Sequence, residues 1–79
     1  MNSEKELFNL AKQYVMLSSE LQRYEVLPEH ELEEIKDGLE KIRNTVLSKG
    51  YNVDKFVEYQ NMYKEMSLKD YFEFIKTLE

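Results

Sequence analysis

Residues 51–78 read YNVDKFVEYQNMYKEMSLKDYFEFIKTL and carry most of the aromatic side chains of the chain. Seven of the ten aromatic residues lie in this stretch, namely Tyr51, Phe56, Tyr59, Tyr63, Tyr71, Phe72 and Phe74. Two short helices packed only on each other cannot cover that much apolar surface. We therefore expect the first fifty residues to support this stretch, with part of its surface packed inward and part facing a partner.

A break near Ser67 divides this stretch into two predicted helices. If one helix continued through the break, Asp70 would fall in its apolar seam, where an unpaired acid is costly. Ser67 and Asp70 instead fit a capping box, in which the serine side chain accepts a hydrogen bond from a free backbone amide. The sequence predicts helices at about 54–65 and 68–78, with a single kinked helix as the alternative.

The second of these helices is apolar on two neighbouring stripes. Residues 68, 72 and 75 form one stripe, and residues 71, 74 and 78 form the other. One neighbouring helix cannot bury both stripes. We therefore expect an exposed patch that draws on the aromatic stretch, with these partner-binding residues: Tyr59, Met62, Tyr63, Tyr71 and Phe74.

Two longer helices, at about 4–25 and 28–49, are predicted before the aromatic stretch. Apolar residues recur in both at alternating spacings of three and four, which is typical of an amphipathic helix. In the first helix they are Leu7, Leu10, Tyr14, Leu17, Leu21 and Tyr24. In the second they are Leu32, Ile35, Leu39, Ile42 and Val46. The first seam also fits an intermolecular coiled coil, although the same spacing occurs in ordinary bundles.

Local signals set the ends of these helices. Ser3 and Glu6 match a capping box, and Pro28 suits the first turn of the second helix. Gly50 is placed as the left-handed residue that ends this helix. Gly38 either allows the close approach of another helix or has no role, and Asn52 and Asp54 are alternative caps of the third helix.

These elements predict an all-α fold in which an antiparallel helical hairpin carries two shorter C-terminal helices. The result is a three- to four-helix bundle formed by a single helical domain over residues 1–79. A chain of this length buries only about 60% of the surface that its unfolded form exposes. Self-association or a partner would therefore add to its stability.

The negative charge of the chain is local. Its net charge is −5, and most of the excess falls between residues 25 and 40. Part of this cluster is explained by the positive end of the second helix, which favours acids in the first turns. We also expect Glu29, Glu33 and Glu34 to steer a basic partner electrostatically. The chain has no cysteine, no apolar run long enough to span a bilayer and no secretion signal, so we predict a cytoplasmic protein.

Catalytic and metal-binding patterns are missing from the sequence. His30 is the only histidine, and the run from His30 to Glu34 begins like the zinc-protease motif but lacks its second histidine. Without cysteine, and with only two glycines, the chain offers neither a thiolate site nor a phosphate-cradling loop. We predict no enzymatic activity, no metal, no cofactor and no small-molecule ligand.

The predicted function is that of a small acidic protein-interaction or regulatory module, which docks through its aromatic C-terminal surface. Its partner would be another protein or a second copy of the chain, and membranes are not expected to bind it. The alternative is a nucleic-acid-binding regulator that uses the last two helices as a helix-turn-helix-like unit. Lys69 and Lys76 favour that alternative, whereas Asp70 and Glu73 on the same helix disfavour contact with phosphates.

Overall fold

The computed structural model describes residues 3–23 and 27–78. It contains four helices, α1 (Ser3–Arg23), α2 (Glu29–Ser48), α3 (Val53–Glu65) and α4 (Leu68–Thr77), and no strand occurs among the described residues. The predicted all-α bundle is confirmed. The predicted end of the first helix, near residue 25, lies outside the described residues.

Helix α1 is the central element, because it packs against both α2 and α3. The buried residues come from three helices and are Leu7, Phe8, Ala11, Val15, Ile42, Val46, Phe56 and Tyr59. The seam residues Leu10, Tyr14 and Leu17 pack against this core from the side. The α1 seam from Leu7 to Leu17 is thus used inside the chain, as the bundle interpretation predicts.

The core lies towards the end of the hairpin where α3 packs. At the other end, Leu21, Leu32 and Ile35 are only half-buried. Helix α3 has 13 residues against 21 in α1, so at 1.5 Å per residue it cannot follow the full length of the hairpin.

Gly38 is the position where α1 and α2 approach closely. A Cβ atom built on Gly38 would lie 3.0 Å from Cδ1 of Leu17, which is tighter than an ordinary contact. Of the two alternatives for this glycine, the structure therefore supports close helix packing. A guanidinium nitrogen of Arg43 donates to the Tyr14 hydroxyl at 3.4 Å and adds a polar link between the same helices.

Helix α2 lies close to its predicted bounds of 28–49, with a shift of one residue at each end. It begins at Glu29, and extended Pro28 (ψ 143°) occupies the capping position. At the other end, Gly50 is left-handed with φ 72°. The Tyr51 amide donates to the Val46 carbonyl and the Gly50 amide to the Leu47 carbonyl, which is the hydrogen-bond pair of a Schellman motif.

Side-chain caps start both C-terminal helices. The Asn52 carboxamide accepts from the Lys55 amide at 3.1 Å, so Asn52, and not Asp54, caps α3. The Ser67 hydroxyl accepts from the Asp70 amide at 3.2 Å, as the predicted capping box requires. The aromatic stretch therefore forms two separate helices, α3 and α4, and the alternative of one kinked helix is wrong.

Carboxylates near the start of α1 bind the aromatic stretch. One Glu6 oxygen pairs with the Lys49 ammonium, and the other accepts from the Tyr51 hydroxyl. The hydrogen bond from Lys49 holds the pKa of the Glu6 carboxyl below its ordinary value. In a capping box the Glu6 carboxylate would accept from the Ser3 amide, but both of its oxygens contact the junction of α2 and α3 instead. Glu4 accepts from the hydroxyl of Tyr59 in the same way.

Candidate protein interaction surface

Helix α4 is held to the bundle by aromatic rings, and none of its residues is buried. The Phe8 ring, which is 0% exposed, lies 4.8 Å from the ring of Phe74 and 6.0 Å from that of Tyr71, measured between ring centroids. Tyr59 lies 6.0 Å from Phe74, and Tyr63 lies 5.9 Å from Tyr71. These contacts turn the stripe of residues 71, 74 and 78 towards α1 and α3.

The predicted partner-binding residues mostly take part in this packing. Tyr59 is only 4% exposed and belongs to the core, so its ring is not available to a partner. Met62, Tyr63, Tyr71 and Phe74 are half-buried and pack against that core. The structure brings all five together, but as the contact between α4 and the bundle. Partner binding by their exposed edges stays a prediction.

The large apolar side chains that α4 leaves in solvent are Leu68 and Phe72. They are 72% and 55% exposed and follow each other at a spacing of four, so they lie on one face of the helix. We call these two residues the α4 patch. Their stripe is evident from the sequence, but periodicity alone does not tell which of two neighbouring stripes faces the core. The predicted partner-binding residues therefore do not include them.

A groove of about 380 Å³ adjoins the α4 patch between α1 and the start of α4. The apolar residues Val15, Met66 and Leu68 line it together with Lys12 and Lys64. No carboxylate of a described residue lines the groove. Its charged lining is therefore positive, although the chain as a whole carries a net charge of −5.

Lys12 connects the groove to α4. Its Nζ atom donates to the Tyr71 hydroxyl at 2.9 Å and lies 4.5 Å from the centroid of the same ring. Because the ammonium contacts a hydroxyl and an aromatic ring rather than a carboxylate, its position is fixed without an ion pair. The groove thus has one cation that is held in place by α4 itself.

The predicted steering residues lie on another helix. Glu29, Glu33 and Glu34 are exposed in the first turns of α2, where no side chain caps the helix. Among the described residues, the ring contacts that α4 makes with other helices all go to α1 and α3. The acidic cluster and the α4 patch are therefore separate features, and their roles can be tested separately.

Other chemistry is sparse in the described part of the chain. His30 is exposed, and no group of three or more histidine, cysteine or acidic residues is placed to hold a metal ion among residues 3–23 and 27–78. Within those ranges no helix combines the length and the apolarity needed to cross a membrane.

No protein-family model, curated protein or solved structure matches the chain.

Proposed function

We propose that the chain is a small, non-enzymatic protein-interaction module of the cytoplasm that docks on another protein through the α4 patch. The observation that carries this proposal is the exposure of Leu68 and Phe72 on one face of a helix whose neighbouring face already packs on the bundle. Single exposed apolar residues are common on proteins. Two on one helical turn beside a groove form a surface that a partner can cover.

The energy available from this surface is enough to matter for binding. Full burial of a leucine or phenylalanine side chain contributes about 1.5–3 kcal/mol. Scaled by the exposed fractions of Leu68 and Phe72, covering both contributes about 2–4 kcal/mol. The exposed edges of Tyr63 and Tyr71 extend the same surface. Aromatic side chains of this kind are enriched at the centres of interfaces.

Selection of displayed random peptides on the immobilised chain tests this proposal. The enriched peptides are then measured against Leu68→Ser and Phe72→Ser, with Leu47→Ser as the matched control. Leu47 is 57% exposed but lies on α2. We expect the first two variants to weaken binding about tenfold, which corresponds to about 1.4 kcal/mol, and the control to bind like the wild type.

The proposal fails if no peptide is enriched, or if all three variants bind equally well. Urea titration of each variant checks that it is folded. Substitution of these exposed residues should change the free energy of unfolding by no more than about 0.5 kcal/mol.

Nucleic acid binding by the α3–α4 pair is the second candidate. The exposed lysines Lys64, Lys69 and Lys76 support it, since cationic side chains neutralise phosphates. Asp70 and Glu73 are exposed on the same helix and oppose it. Fluorescence anisotropy of a labelled DNA duplex at low salt separates the two functions. Saturable binding that is lost on substitution of the lysines would favour nucleic acid.

A further inference from the structure

We infer that the α4 patch and its groove accept an acidic segment of a partner protein, in which carboxylates flank a large apolar side chain. This inference rests on the proposed function and names the chemistry of the partner. It follows from the arrangement of lysines on both sides of Leu68 and Phe72.

Two lysines of α4 lie next to the patch. Lys69 precedes Phe72 by three residues and Lys76 follows it by four. Residues at these spacings are neighbours on a helix surface. Both lysines are exposed. Asp70 and Glu73 are neither three nor four residues away from Leu68 or Phe72. The charged side chains of α4 that lie nearest to the patch are therefore cationic.

The groove supplies two further cations on the other side of the patch. Lys12 and Lys64 line it together with Leu68, which belongs to both surfaces. Neither lysine forms an ion pair with a described residue. Four lysines thus surround two exposed apolar side chains, and the described residues leave all four charges to a binding partner or to solvent.

A second copy of the chain fits this surface poorly. Two α4 helices packed antiparallel about a twofold axis would pair Leu68 of one copy with Phe72 of the other. The axis of this symmetry passes at the level of residue 70, so it places Lys69 of one copy close to Lys69 of the other, on the same side of both helices. Like charges at that distance oppose the contact.

Nucleic acid also fits less well than an acidic protein segment. Phosphates would satisfy the lysines, but most contacts to a duplex go to phosphate and sugar, which leaves Leu68 and Phe72 without a large apolar surface to cover them. An acidic segment of a protein offers both carboxylates and an apolar side chain. In such a complex apolar burial supplies affinity, and the lysines supply specificity and association rate.

The displayed peptides that test the proposed function also test this inference. We expect enriched sequences to place aspartate or glutamate beside leucine or phenylalanine. One enriched peptide, labelled with fluorescein, is titrated with wild type, with Lys69→Gln/Lys76→Gln, and with the control Lys36→Gln/Lys41→Gln on α2. The first double variant should weaken binding about fivefold and reduce its salt dependence, whereas the control should change it by less than about 1.5-fold.

Each contrary outcome has a separate meaning. Enriched peptides that are neutral or basic, yet still need Leu68 and Phe72, would overturn the acidic partner and leave the docking surface in place. Peptides that need neither the patch nor the lysines would overturn both proposals. Tighter binding of a labelled DNA duplex than of any peptide, or dimerisation through the patch in light scattering, would replace the acidic segment by nucleic acid or by a second copy.

Discussion

Phe8 is the residue on which the attachment of α4 depends, and Phe8→Ala is therefore the most informative substitution. Its ring is 0% exposed and lies within 6.4 Å, centroid to centroid, of the rings of Tyr59, Tyr63, Tyr71 and Phe74. Truncation of a buried phenylalanine to alanine costs about 3–5 kcal/mol. At about 0.05–0.15 kcal/mol per residue, a chain of 79 residues has about 4–12 kcal/mol in total. Phe8→Ala should therefore lose a large part of its free energy of unfolding.

Phe8→Leu gives a measurable change where the alanine variant does not fold. Leucine keeps most of the apolar volume but loses the ring contacts, each of which is worth about 0.5–1.5 kcal/mol beyond its buried area. Because leucine makes new contacts of its own, we expect a net loss of about 1–2 kcal/mol. The midpoint of thermal unfolding should fall by about 4–16 °C. The matched control Phe72→Leu, at 55% exposure, should change stability by no more than about 0.5 kcal/mol.

Urea titration followed by far-UV circular dichroism measures these losses, and amide hydrogen exchange reports on α4 separately. Exchange in residues 68–77 should accelerate more than exchange in α2 when Phe8 is replaced, because the aromatic contacts of α4 are weakened directly. The reasoning is refuted if Phe8→Leu is as stable as Phe72→Leu, or if α4 keeps its protection in a folded Phe8→Ala protein.

Three further predictions concern backbone, pH and charge. Gly50→Ala should cost about 1–2 kcal/mol in urea titration, because φ is 72° there. Burial raises the pKa of Tyr59 to about 12, so this tyrosine should ionise last in a spectrophotometric titration. The stability that comes from burying the neutral Tyr59 hydroxyl is fully present below pH 10, the pKa of the unfolded chain, and is lost as the pH rises towards 12. The free energy of unfolding of Tyr59→Phe should therefore fall less over that range. Stopped-flow measurements on Glu29→Gln/Glu33→Gln/Glu34→Gln should show faster association of an acidic peptide, because three repelling charges are removed, and an unchanged rate would contradict this. Slower association of a basic peptide with the same variant would instead support the predicted steering of a basic partner.

The number and ends of the helices were predictable because their signals are local. Ser67 and Asn52 cap with their own side chains, and the left-handed conformation of Gly50 follows from its lack of a Cβ atom. These interactions span three or four residues. They therefore act in the same way whatever the rest of the chain does.

The orientation of α4 was not predictable, because it depends on a residue far away in sequence. Both stripes of this helix are apolar. Tyr71 and Phe74 face the bundle because they pack against the ring of Phe8 on α1. Leu68 and Phe72 are left exposed as a result. The same limit applies to Glu6, whose local pattern matched a cap while its oxygens contact Lys49 and Tyr51 more than forty residues away.

Mapping a bound peptide onto the chain by two-dimensional NMR tests the central claim most directly. A peptide enriched on the wild-type chain is titrated into isotope-labelled protein, and the amide shift changes are assigned to residues. We expect the largest changes in residues 68–76 of α4 and residues 12–19 of α1, which line the patch and its groove. Changes confined to residues 29–40 of α2, with α4 unaffected, would contradict it.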